Sequence, residues 1–105
     1  MDQEVISDHV DEFNRRVSKV CDVVNATFSL NVHVDLVNVS PPRRYDSYYF
    51  YYLRAVKDDM RKSLNSLINQ LSGYNLIGPT RLNDDFDWQD ANHLLNKVET
   101  RISKY

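Results

Sequence analysis

Residues 27–39, TFSLNVHVDLVNV, decide whether this chain is built from helices alone. Leu30, Val32, Val34 and Leu36 alternate with Asn31, His33 and Asp35, a period of two that reads as a half-buried strand. The phase changes at Leu36-Val37, after which Val37 and Val39 take the apolar positions, and a bulge or bend would account for the shift. No Asn-Gly or similar turn divides the run into a hairpin. A lone strand cannot satisfy its own N–H and C=O groups. The run therefore predicts a partner, either a short second strand around Leu76 and Ile77 or the same strand of another subunit. The inter-subunit pairing is preferred, because the sequence offers no other strand of this length.

Helical patterns flank the run. Before it, Ile6, Val10, Phe13, Val17, Val20 and Val24 alternate steps of four and three, predicting a helix over about 2–25 with Asp2 as N-cap and Glu4 in its first turn. The stripe fits a helix facing its own core, or else a coiled-coil seam with another subunit. Asp11 with Arg15 and Glu12 with Arg16 are acid-before-base pairs four apart. After the run, Pro41-Pro42-Arg43-Arg44-Tyr45 stiffens a linker, and Asp46 or Ser47 caps a second helix over about 46–72. Tyr49, Leu53, Val56, Met60, Leu64, Leu67 and Leu71 share one face of it. Gly73 is placed as its left-handed C′ residue, with Tyr74 folding back towards Ile68. Residues 74–85 read as a loop punctuated by Gly78-Pro79. A third helix, about 87–103, opens with Asp87 and Asp90 in a capping-box arrangement and Phe86 stapled to Ala91. Its stripe is Trp88, Ala91, Leu95, Val98 and Ile102, with Trp88 at the core.

The second helix carries a surplus of rings. Tyr48, Tyr49, Phe50, Tyr51 and Tyr52 are consecutive, and a 3.6-residue period turns them all the way round the axis. Tyr49 belongs to the core stripe and Tyr52 to its edge. Phe50 lies to one side, and Tyr51 points away. Rings outside the stripe must meet another segment, another subunit or water, and at least one of Tyr48, Phe50 and Tyr51 is expected to be buried only between chains. Tyr and Phe beside Arg43 and Arg44 match the enrichment seen at protein interfaces. The candidate interface is therefore Arg43, Arg44, Tyr45, Tyr48, Phe50, Tyr51 and Tyr52, together with Val32 and Val34 of the strand.

Composition sets the outer limits. A length of 105 residues gives one small domain, and 42% apolar with 27% charged residues places it among globular chains. The net charge of −2 argues against a general nucleic-acid or anionic-membrane binder, although rings next to arginines are also what single-strand binders use. Cys21 is the only cysteine, so no disulfide framework or thiolate zinc site is expected. The acidic start MDQEVISDHVDE has no signal-peptide pattern, and no run approaches the length of a membrane span, so an intracellular origin is the expectation. Nothing names a reaction. His33 and Asp35 share a strand face without a linked nucleophile. His9, His33 and His93 lack metal-ligand spacing. The acids at Asp84, Asp85, Asp87 and Asp90 fail the calcium-loop pattern, and two glycines exclude a phosphate cradle. No catalysis, cofactor or metal is expected.

The run 84–102, DDFDWQDANHLLNKVETRI, resembles a segment recurring in tail, baseplate and fibre proteins of phages infecting Gram-positive bacteria. There an aromatic-acidic entry leads into a helix with Asp-x-Asn and then a Leu-Asn-Lys-Ile-Glu-like stretch. The matching residues here are Trp88, Asp90, Asn92, Leu95, Asn96, Lys97, Val98, Glu99 and Ile102, and His93-Leu94 departs from the pattern by intervening. The resemblance covers under a fifth of the chain. It implies a virion structural role without catalysis, in a symmetric ring. The expected fold is α+β, dominated by three helices with one strand or short β segment at about 28–39. The expected function is a homo-oligomeric phage assembly protein contacting itself and other virion or host proteins. The alternative is a small regulator that binds a host protein or nucleic acid.

Overall fold

The computed structural model describes residues 3–40 and 47–105. Asp2 and the segment from Pro41 to Asp46, with Arg43, Arg44 and Tyr45, lie outside the described residues, as do the side chains of Glu4, Ser47, Tyr48 and Tyr49. The described chain is three helices: α1 (Gln3–Phe28), α2 (Ser47–Gly73) and α3 (Trp88–Ser103). There is no strand or sheet among the described residues, so the fold is all-α and the α+β expectation is overturned.

All three helices run in the same direction. His9 stacks on Trp88 near the start of α1 and α3, Arg16 reaches Asn92, Asn96 and Glu99 midway, and Phe28 meets Tyr105 at the end. On α2, Met60 shares a cleft with Phe13 and Trp88, and Gln70 sits at the level of Asn25, since the two hold adjacent residues of the connecting chain. Helical bundles usually alternate direction through short loops. Parallel helices require long returns instead. Residues 29–40 form the first return and residues 74–87 the second, and both lie along the helices as extended straps.

The first strap is the run read as a strand. Its alternation is real: Val32 and Val34 are buried, Asn31, His33 and Asp35 are exposed, and the phase shifts so that Leu36 is exposed and Val37 buried. What differs is the partner. The Asn25 carboxamide donates from Nδ2 to the Val32 carbonyl (3.0 Å) and accepts the Val32 N–H at Oδ1 (2.7 Å). Asn14 does the same for Val37, at 2.9 and 3.0 Å. Gln70 reaches across from α2 to His33, at 2.8 and 3.3 Å. A side-chain amide carries one donor and one acceptor in peptide-like geometry, so each clamp makes the two bonds that a neighbouring strand would have made. The spacing agrees with this picture. Asn14 and Asn25 are about 16 Å apart along the helix, which is about the length from Val32 to Val37 when extended. The clamps satisfy both backbone groups of Val32, His33 and Val37 without a second strand, and among the described residues Leu76 and Ile77 pair with nothing as a strand.

The second strap uses the same device once. Asn65 donates to the Leu82 carbonyl (3.2 Å) and accepts the Leu82 N–H (2.7 Å). Leu76, Leu82 and Phe86 turn inward from it, and Lys57 lies over the Phe86 ring at 5.0 Å.

The helix boundaries follow local chemistry. α1 extends past the expected end to Phe28 and stops at Ser29, which takes a left-handed φ of 56°. α2 ends in a Schellman motif. Leu76 N–H bonds to the Leu71 carbonyl (2.9 Å) and Asn75 N–H to that of Ser72 (3.0 Å), with Asn75 at φ 60°. The left-handed position is therefore Asn75 and not Gly73, and Leu76, not Tyr74, folds back. α3 begins with the capping box expected from Asp87 and Asp90. A single core joins the helices, including Phe13, Val17, Val24, Val56, Leu64, Leu67, Ile68, Leu95 and Ile102. The α1 stripe is thus spent inside the chain. Trp88 is half-buried at the edge of this core, not at its centre.

Among the described residues one buried side-chain polar atom, Ser63 Oγ, has no hydrogen-bond partner. A hydroxyl buried without a partner is destabilising, and alanine is also the better helix former. Ser63→Ala is therefore expected to raise unfolding free energy by about 1 kcal/mol, read from urea melts.

Candidate functional site

Two surface features at the leading end of the bundle stand apart from the core. The first is the start of α2. Phe50 and Tyr51 are 66% and 62% exposed and meet edge to face, with ring centroids 6.2 Å apart. Arg54 follows one turn on from Phe50 and is also exposed. α3 begins only at the level of Met60, so the first turns of α2 project beyond it.

The second feature is a cleft of about 280 Å³ between the early turns of α1 and α3 and the middle of α2. Its floor is Phe13, Met60 and Ala91, all buried. Its rim comes from α1 and α3: His9, Glu12 and Arg16 on one side, Trp88, Gln89 and Asn92 on the other. His9 and Trp88 stack at 5.7 Å and form an aromatic wall. Arg16 is committed: it bonds Glu99 through Nε and Nη2, Asn92 through Nη1 and Asn96 through Nη2. The expected Glu12–Arg16 pair therefore does not form. Glu12 binds Arg15 instead (2.5 Å), and that hydrogen bond holds its carboxyl below the usual carboxylate range.

The remaining polar groups do not converge on a reaction. His33 and Asp35 approach to 3.5 Å, as their shared face requires, with both side chains in solvent. Cys21 lines a groove with Asp22, Asn25 and His33, and burial followed by the charge of Asp22 pushes its thiol above the ordinary value, away from a reactive thiolate. Asp84 binds Arg61 (3.3 Å), while Asp87 and Asp90 bind each other's backbone. No group of metal-ligating side chains occurs among the described residues. No helix of the described residues is long and apolar enough to cross a membrane.

The residues singled out from sequence separate into three groups. Phe50 and Tyr51 are on the surface. Tyr52 is 6% exposed and belongs to the core, as do Val32 and Val34 at 4% and 6%, so these three face the chain's own interior. Arg43, Arg44, Tyr45 and the side chain of Tyr48 lie outside the described residues. The cleft was missed by sequence reasoning. Its signal was present in His9 and Trp88, polar-edged rings at the start of two amphipathic helices.

No family model, no curated protein and no solved structure matches this chain. The run 84–102 is accounted for by local structure. Trp88 stacks on His9, Asp90 completes a cap, Asn92, Asn96 and Glu99 hold Arg16, and Leu95, Val98 and Ile102 fill the core.

Proposed function

We propose that this chain is a non-enzymatic assembly protein that acts by protein–protein contact through the start of α2, with a second copy of itself as the first partner. The observation that carries this is the exposed Phe50–Tyr51 pair on a helix end that projects past α3. Large rings left in water beside an arginine are the composition of interface hot spots. The first strap adds little, because Val32, His33 and Val37 already have both backbone groups held by side chains of the same chain. A place in a phage tail or baseplate is the finer form of this proposal, and only the resemblance of residues 84–102 speaks for it. The test is the oligomeric state of wild type and of F50A/Y51A from tens to hundreds of micromolar. Wild type is expected to self-associate and the variant to remain monomeric with an unchanged circular dichroism spectrum. A monomeric wild type would end this proposal and favour a regulator acting on a different protein.

A further inference from the structure

We infer that the Phe50–Tyr51 pair of one copy seats in the His9–Phe13–Met60–Trp88 cleft of the next, so that copies join head to tail. This rests on the assembly reading above and goes further by naming the surface that receives the rings. Size is the first argument. A cavity of about 150 Å³ accommodates benzene, so 280 Å³ has room for a tyrosine or phenylalanine ring and part of its neighbour. Chemistry is the second. The cleft has an apolar floor and a Trp88–His9 wall, the surroundings in which aromatic pairs gain energy beyond area burial. Charge is the third. On the α1 side of the rim Glu12 is paired with Arg15 and Arg16 with Glu99, and exposed Asp8 lies one turn before Glu12. The rings carry exposed Arg54, and Arg43 and Arg44 precede them in sequence. The Asp8 carboxylate beside the rim thus faces the Arg54 cation beside the rings.

Geometry then sets the symmetry. Met60 of α2 forms the cleft floor, so the cleft opens between α1 and α3, on the side away from α2. Tyr51 is half a turn round the helix from Met60, and Phe50 is about 15 Å from it along the axis. The rings cannot reach their own cleft. Two copies cannot both seat Tyr51 about a two-fold axis either, because Tyr51 and the cleft lie on opposite sides of the bundle. A contact between two different patches is heterologous and propagates into a ring or a filament.

The test compares wild type, F50A/Y51A and Q89W by native mass spectrometry and light scattering. All three substituted residues are exposed, and unchanged thermal melts confirm the fold. Gln89→Trp fills the cleft mouth and leaves the rings intact. Wild type is expected to give a series of oligomers. Each variant alone is expected to associate at least about thirtyfold more weakly, the loss of a hot spot. An equimolar mixture of the two variants is expected to give a one-to-one dimer and nothing larger, since one good knob and one good cleft remain and are used together. Arg54→Glu, at an exposed position, is expected to weaken wild-type association as well. If F50A/Y51A loses assembly while Q89W keeps it, the rings bind elsewhere, and this inference fails while the assembly reading stands. If both variants assemble like wild type, or wild type is monomeric, both readings fail.

Discussion

Asn25→Ala is expected to destabilise the chain by about 2 kcal/mol, and the double variant N14A/N25A by about 4 kcal/mol or more, a large share of the 5–15 kcal/mol typical of a domain. The sign is the informative part. Asparagine is a poor residue for a helix interior, and replacement by alanine at an ordinary helix surface stabilises by several tenths of a kcal/mol. Here each asparagine holds both backbone groups of a strap residue, and removing it strands a part-buried N–H and C=O. Each such group costs about 1–3 kcal/mol when water reaches it poorly. That outweighs the propensity gain. The two sites share one strap, so their effects are coupled and not additive. Losing both clamps frees Val32, Val34 and Val37 from the core together. Asn25→Asp is expected to be worse than alanine, because it loses the donor and sets a carboxylate against the Val32 carbonyl. Urea melts of wild type, N14A, N25A, N14A/N25A and N25D decide this. Stabilisation by N14A or N25A would mean that the amides are surface decoration.

Arg16→Met is expected to cost about 2–3 kcal/mol, and R16M/E99L to recover most of it. The Arg16 side chain is 16% exposed and Glu99 34%, and the guanidinium also takes Asn92 and Asn96 at 2.5 Å each. Removing one charge of such a pair leaves the other desolvated and unpaired, which is the expensive state. Removing both and filling the space with apolar side chains is close to neutral. Glu12→Ala is expected to have little measurable effect, since its Arg15 pair lies in solvent. Equal costs for R16M and R16M/E99L, measured by chemical denaturation, would show that packing of the arginine stem matters and the pairing does not.

Much of the helical architecture was legible. Most of each stripe was read correctly because apolar residues at three- and four-residue steps must turn inward together, although Ile68 is buried outside the expected α2 stripe and Tyr49 lies outside the described side chains. The Asp87–Asp90 cap was legible because its spacing has one physical use. The strap was half legible. Alternation at 30–35 reports an extended chain with one buried face, and that is what the structure has. Alternation says nothing about which groups satisfy the backbone, and here they are side chains on helices distant in sequence. A signal existed. Asn14, Asn25 and Asn65 sit inside helices where asparagine is disfavoured, beside buried stripes, and residues kept against propensity need a partner. The left-handed residue after α2 was misplaced by two positions because glycine was assumed to take it, and asparagine also tolerates that conformation. At the candidate site, Phe50 and Tyr51 were found by counting rings against the helical period. The cleft was not, because it is assembled from the early turns of α1 and α3 and the middle of α2, whose level relative to one another depends on the straps.

Carboxamides of the chain's own helices take the place of a neighbouring strand at Val32, His33, Val37 and Leu82. Amide hydrogen exchange followed by NMR in a dilute, monomeric sample tests it most directly. The N–H groups of Val32, Val37 and Leu82 are expected to be protected, with those of Val32 and Val37 released individually by N25A and N14A. Protection that alternates regularly along residues 30–39, or that appears only as concentration rises, would contradict it.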